Sequence, residues 1–151
     1  MPPLCVRAAR ADDVPAILEF QVRLASESEG LELERAAVAR GVQAVFDDPA
    51  KGAYWVAEEE GRVLGALLTI PEWSDWRNAT VLWIHSLYVV PEARRRGVFK
   101  ALYLALKGQV ERSPGLAGLR LFVDRRNRAA QRAYEALGMS QDHYCLYEWL
   151  K

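Results

Sequence analysis

Two stretches of this chain carry residue types that could hold and transform a ligand. In the first, Arg94-Arg95-Arg96-Gly97 follows the apolar run Thr80–Val90. It precedes Val98, Ala101, Leu102, Ala105 and Leu106 at helical spacing. A strand, a basic glycine-bearing turn and a helix together make an anion site. The first backbone N–H groups of a helix lack internal partners, its dipole favours negative charge there, and a glycine lets a ligand come close. No Gly-Lys-Ser/Thr follows, so this is not a nucleotide-triphosphate loop. The second stretch is Pro71-Glu72-Trp73-Ser74-Asp75-Trp76-Arg77, two indoles with two carboxylates. With Glu29 from the first inter-helix turn, these residues could enclose a cationic amine by ion pairing and cation–π contact. Trp73 and Trp76 could equally clamp a loop onto the core or onto a second subunit, and Arg77 could bind a substrate carboxylate. His85 lies in the apolar run and titrates close to neutral pH, which suits a proton acceptor. A lone histidine in an apolar strand is as often a hydrogen-bonded core residue, and His143 is a weaker candidate for the same task.

The basic turn also matches a known pattern. Arg94-x-x-Gly97 after a strand ending Leu87-Tyr88-Val89 resembles the acetyl-CoA signature of the GNAT family of N-acetyltransferases, usually written Gln/Arg-x-x-Gly-x-Gly/Ala. The last small position is Phe99 here, a side chain that would narrow the pyrophosphate loop. Asn127–Gly138, NRAAQRAYEALG, resembles the family's second cofactor segment, Asn-x-x-Ala-x-x-x-Tyr-x-x-x-Gly, and is the more specific match. The resemblance implies that the central strand splays from the next one and admits the pantetheine arm of acetyl-CoA. Backbone groups around Leu87, Tyr88 and Val89 would then hydrogen-bond the cofactor, and Arg94, Arg95, Arg96, Gly97, Val98, Phe99 and Lys100 would hold its pyrophosphate. Asn127 would cap its helix and face the pantetheine. Tyr134, two helical turns on, would protonate the departing thiolate, a role worth roughly 10²–10⁴-fold in rate. His85 stands two residues before Leu87, where several family members carry a glutamate, and would deprotonate the acceptor amine.

The elements that must position these residues follow from periodicity and punctuation. Leu4–Ala8 reads as a first strand; Asp12 or Asp13 caps a helix with Pro15 in its first turn, which turns at Ser26–Gly30. A second helix carries Val38, Val42, Val45 and Phe46 and ends near Asp48-Pro49. Ala53–Glu59 and Arg62–Thr69 read as a hairpin around Glu60-Gly61, and Ile70–Ala79 as a loop. Thr80–Val90 reads as a strand buried on both faces and central in its sheet, closed by Pro91. Leu119–Val123 reads as a fifth strand, Asn127–Gly138 as a helix ended by glycine, and Tyr144–Leu150 as a last strand. The order β-α-α-β-β-β-α-β-α-β is that of the acetyltransferase family and predicts an α/β fold, a mixed, largely antiparallel sheet flanked by helices.

The 151 residues suit one domain with a sizeable core, about half apolar and a quarter charged. Zero formal net charge argues against bulk attraction to nucleic acid or anionic membrane. No apolar run reaches membrane-spanning length, and the first ten residues lack the apolar core of a signal peptide, so a cytoplasmic protein is expected. Cys5 and Cys145 are too few for a metal site or disulfide framework and are expected as buried thiols. No metal is expected. The reading that follows is an acetyl-CoA-dependent transferase acting on a primary amine of a polyamine- or amino-acid-like small molecule, directly and without an acyl-enzyme. A non-catalytic acyl-CoA sensor and an enzyme acting on a protein or peptide amine are the alternatives. A homodimer, through the C-terminal strand or the tryptophan stretch, accords with the frequency of symmetric pairs.

Overall fold

Strand pairing decides where every later residue can point. Cys5–Ala8 (β1), Ala53–Glu59 (β2), Arg62–Ser74 (β3), Ala79–Val89 (β4) and Leu116–Leu121 (β5) form one sheet in the order β1-β2-β3-β4-β5. The structure is a computed structural model and describes residues 2–151. The first three pairings are antiparallel and the last, β4 with β5, is parallel. Antiparallel neighbours need only short turns. The parallel pair needs a crossover, supplied by helix α3, Val98–Arg112. Helices α1 (Val14–Glu29) and α2 (Arg35–Asp47) separate β1 from β2, and α4 (Arg128–Ala136) follows β5.

The two faces of the sheet are covered by different helices. Phe20 of α1 lies 5.1 Å from the Tyr88 ring of β4, and Phe46 of α2 lies 5.9 Å from Tyr54 of β2. On the opposite face α3 buries Val98, Leu102, Tyr103 and Leu106, the stripe its spacing predicts. Gly65 on β3 makes this approach feasible, since a Cβ there would sit 2.9 Å from a methyl carbon of Val98. Ile17, Val42, Val56, Leu67, Leu102 and Leu106 are fully buried, each worth about 1.5–3 kcal/mol relative to exposure. Residues up to Leu121 form one compact unit and Phe122–Lys151 a second; α4 belongs to the second.

Several sequence expectations are corrected. The region Ile70–Ala79 is mostly sheet, not loop: β3 runs on to Ser74, β4 starts at Ala79, and only Asp75–Asn78 turns. Pro71 is tolerated because β2 ends opposite Thr69. Pro71 pairs with Leu82 on β4, and its other edge has no ladder bond to lose. Helix α1 continues through the Ser26–Glu29 segment expected to turn; Gly30, with φ of 64°, ends it. The fifth strand begins three residues earlier than expected. Tyr144–Leu150 forms no strand: alternation supplies a face, but a strand also needs an edge to satisfy its backbone. Both cysteines are exposed, Cys5 at the start of an outer strand and Cys145 in the C-terminal segment.

Candidate active site

The site is built on an irregularity in β4. Leu68 of β3 pairs with His85, and Ala66 with Tyr88, so β4 spends one residue more than β3 over this interval. That extra residue is a β-bulge, and it is accommodated by Ser86 at φ of 51°, a left-handed conformation uncommon outside glycine. Two consequences follow. Leu68 and Ala66 are two apart and share a face, so His85 and Tyr88 share it too; without the bulge, residues three apart would point oppositely. The ladder to β5 also stops just before the bulge, at Ile84 opposite Leu121. From Ser86 to Val89, β4 keeps β3 on one side and shows no strand pairing on the other among the described residues. Val90 donates to Leu64 on β3, so Val89, one residue earlier, turns its backbone groups to the unpaired edge.

The basic turn lies where this edge ends. A short 3-10 turn at Pro91–Ala93 leads to Arg94–Gly97, with Arg95 at φ of 63° and Gly97 at 78°. Gly97 caps α3, and the first intrahelical bond runs from the Ala101 N–H to the Gly97 carbonyl. The amides of Val98 and its neighbours therefore open onto an electropositive helix end. The three arginines are not equivalent. Arg94 donates through Nε to the Val89 carbonyl at 3.0 Å and through its terminal nitrogen to Glu27 at 2.6 Å, and its guanidinium lies 5.5 Å from the Tyr88 ring centroid. Tyr88 donates to the other oxygen of Glu27 at 2.9 Å. Arg94 holds the Glu27 carboxyl below its ordinary range. Arg96 pairs with Glu59 at 2.8 Å, whereas Arg95 makes no ion pair among the described residues. The Phe99 ring lies 6.1 Å from that of Tyr103, one turn along the helix, tilted at 46°.

On the face shared with His85, a second polar group forms. Trp83 donates through Nε1 to Glu72 at 2.9 Å, and Arg120 of β5 donates to the other Glu72 oxygen at 2.8 Å. Arg120 also lies 5.9 Å over the Trp83 ring, which in turn is 6.4 Å from the His85 ring. His85 is half-buried, and burial holds its pKa below the usual value, favouring the neutral, proton-accepting form.

The expected acceptor residues are only partly gathered. Glu72 faces Trp83, but Trp73, its neighbour on the strand, points to the opposite face. Trp76 is 91% exposed at the hairpin tip, where Asp75 accepts from its N–H. Glu29 is exposed at the end of α1. Glu27, Ser86, Trp83 and Arg120 were missed by sequence reasoning. The acidic run at 27–34 hinted at Glu27; nothing in the sequence marks Ser86.

In the second unit, Asn127 accepts from the Ala130 N–H at 3.0 Å and so caps α4 through its side-chain oxygen, leaving its amide donors available to a ligand. Gln131 ties the preceding loop by donating to the carbonyls of Asp124 and Arg125. Arg126 draws the Asp124 carboxyl down to about 2. Tyr134 is half-buried, and burial pushes its phenol pKa up, so it holds its proton at neutral pH.

Comparison with known proteins identifies the architecture. A crystal structure of a possible acetyltransferase from Clostridium difficile 630 superposes with a TM-score of 0.91 at 38% identity, over 98% of this chain and 97% of that one. An aminoglycoside acetyltransferase from an uncultured soil metagenomic sample, solved with sisomicin, shares the fold at a TM-score of 0.76 and 18% identity, over 98% and 97% of the two chains. Among curated proteins, an uncharacterized N-acetyltransferase of Bacillus subtilis, YhfO, is 33% identical over 95 residues, 60% of this chain. The chain spans 63% of that relative's length. The family model described as Acetyltransferase (GNAT) family matches residues 16–139, which include the bulged strand, the basic turn and the Asn127–Gly138 segment, and the chain belongs to this family.

Proposed function

We propose that the protein transfers an acetyl group from acetyl-CoA to a primary amine of a small polyamine- or amino-acid-like molecule, directly within a ternary complex. The observation that carries this reading is the bulge at Ser86, which leaves the β4 edge unpaired beside the α3 N-terminus and sets His85 on the face of Tyr88. These features fit the cofactor. Backbone groups of β4 from Leu87 to Val89 suit an extended amide-bearing arm, and the amides from Gly97 to Lys100 suit a pyrophosphate. Bound acetyl-CoA supplies an acyl group activated as a thioester.

The chain's own residues do the rest. His85 Nδ1 or Nε2 takes the proton from the acceptor ammonium, a task its burial favours by keeping the ring neutral. By its match to the family's Asn127–Gly138 segment, Tyr134 is assigned the proton that goes to the leaving sulfur, and its phenol holds that proton at neutral pH. A backbone N–H of the unpaired β4 edge stabilises charge as it develops on the acyl oxygen. Glu72 and Arg120, paired beside Trp83, offer both signs of charge near His85, which favours an amine that also bears a carboxylate.

The test is thermal unfolding across an acetyl-CoA series, then thiol release with a panel of amines. Ligand at about a hundred times its Kd adds roughly 2.7 kcal/mol to folding, a visible rise in Tm. The expected result is a saturating rise with acetyl-CoA and not with ATP, plus thiol release that Tyr134→Phe reduces. A rise with no release from any amine would instead support an acyl-CoA sensor. No rise would remove the proposal.

A further inference from the structure

A cleft of about 650 Å³ opens between β1, the start of α1 and the β2–β3 hairpin, wholly within the first unit. None of the residues assigned above to the cofactor or the acceptor lines it. Its lining carries four arginines and four carboxylates, so the formal charges cancel. Six of these eight are engaged in ion pairs: Arg7 holds Asp13 and Glu58, Arg23 holds Glu19, and Arg62 reaches Glu92 beyond the cleft. The remaining two, Arg10 and Asp12, are exposed and make no ion pair among the described residues. They stand two residues apart, where β1 gives way to α1. Arg7 Nε is buried without a hydrogen-bond partner, and such a donor is costly until an acceptor meets it. Phe20, Val63 and Val90 add apolar wall.

We infer that this cleft is a second binding site, for a free α-amino acid with an apolar side chain. The charge pattern selects that class. A nucleotide would need an excess of positive charge in the lining and a polyamine an excess of negative charge, and neither excess exists. A zwitterion brings one charge of each sign and no net charge, which is what Arg10 and Asp12 leave unmet. Its carboxylate is the acceptor that Arg10 and Arg7 Nε lack, and its ammonium is the donor for Asp12. Its side chain takes the wall formed by Phe20, Val63 and Val90. The volume falls within the range of about 300–1,000 Å³ usual for small-ligand sites. No reacting group of the catalytic reading lines the cleft, so its occupant is not the acceptor, and the site stands whether or not that reading does.

Titration calorimetry of the full chain with L-leucine and L-phenylalanine should show saturable binding at millimolar concentration. N-acetyl-L-leucine lacks the ammonium and L-leucinamide lacks the carboxylate, so each should bind about tenfold more weakly or worse. Arg10→Ala and Asp12→Asn change exposed side chains that make no ion pair, so each should keep the parent Tm while weakening L-leucine about tenfold or more. In the unaltered protein, the amide resonances that shift on adding L-leucine should centre on residues 7–13 and 58–63, a measurement that needs no variant to fold. Absence of saturable binding for both amino acids would overturn the inference. So would analogues that bind as tightly as L-leucine, or binding that survives both substitutions and shifts His85 instead, which would mark the acceptor site.

Discussion

Ser86 carries a local cost that the rest of β4 must offset. At φ of 51° its Cβ crowds the following carbonyl, a penalty of about 1–2 kcal/mol for an L-residue. Ser86→Val adds a β-branch at that position and is expected to lower stability by at least ~1 kcal/mol in urea denaturation, with a smaller Tm rise from acetyl-CoA. Ser86→Gly should keep the rise. A valine variant as stable as the parent would show that the bulge is not strained. His85 makes a second prediction at this scale. Its pKa is lowered because burial penalises the imidazolium, and a base acts when deprotonated. Log kcat/KM should therefore stay flat as pH falls to about 6.5, its acid limb lying lower, and His85→Gln should lose that limb with roughly 10²–10⁴ of the rate. An acid limb above pH 6.5 would assign the titration to another group.

At the scale of elements, the turn from β4 into α3 divides labour among residues that look alike. Arg94-Arg95-Arg96 reads from sequence as three candidate phosphate ligands. Folding commits Arg94 to Glu27 and the Val89 carbonyl, and Arg96 to Glu59. Partner acids more than thirty residues away in the chain were invisible to local pattern, whereas Gly97 was legible because the turn needs φ of 78°. Gly97→Val should accordingly cost about 1–2 kcal/mol and abolish the acetyl-CoA-dependent Tm rise. Glu27→Gln removes the charge that holds Arg94. Because that pair is about half exposed, it should change folding by less than ~1 kcal/mol, while weakening acetyl-CoA a few-fold in a titration. Unchanged affinity would mean that Arg94 braces the fold only. The same limit explains β3. A proline and a run of polar residues imitate a loop, and only the position where β2 ends shows why Pro71 is harmless.

At the scale of the molecule, the element order through β5 was legible because each helix and strand announces itself by period and punctuation. The C-terminal segment was not, since apolar alternation does not by itself supply the backbone partners a strand needs. Long-range ion pairing was equally hidden, and it predicts how the fold responds to acid. Arg7 on β1 donates to both oxygens of Asp13, at 2.7 and 3.0 Å, and to Glu58 of β2 at 2.6 Å, joining the first strand, the entry to α1 and the second strand. Arg7 holds both carboxyls below their ordinary values. Carboxylates lowered on folding contribute stability above those ordinary values, near 4, and lose it as pH falls through the folded ones. Arg7→Met should lower stability at pH 7 by about 1–3 kcal/mol, since Asp13 is only 6% exposed and would lose its charged donor. As pH falls below 4 and through the folded values, the carboxyls take up protons and no longer need the guanidinium, so the urea midpoints of the two proteins should draw progressively together. A difference that persists undiminished there would place the role of Arg7 in packing its stem across the two strands, not in pairing.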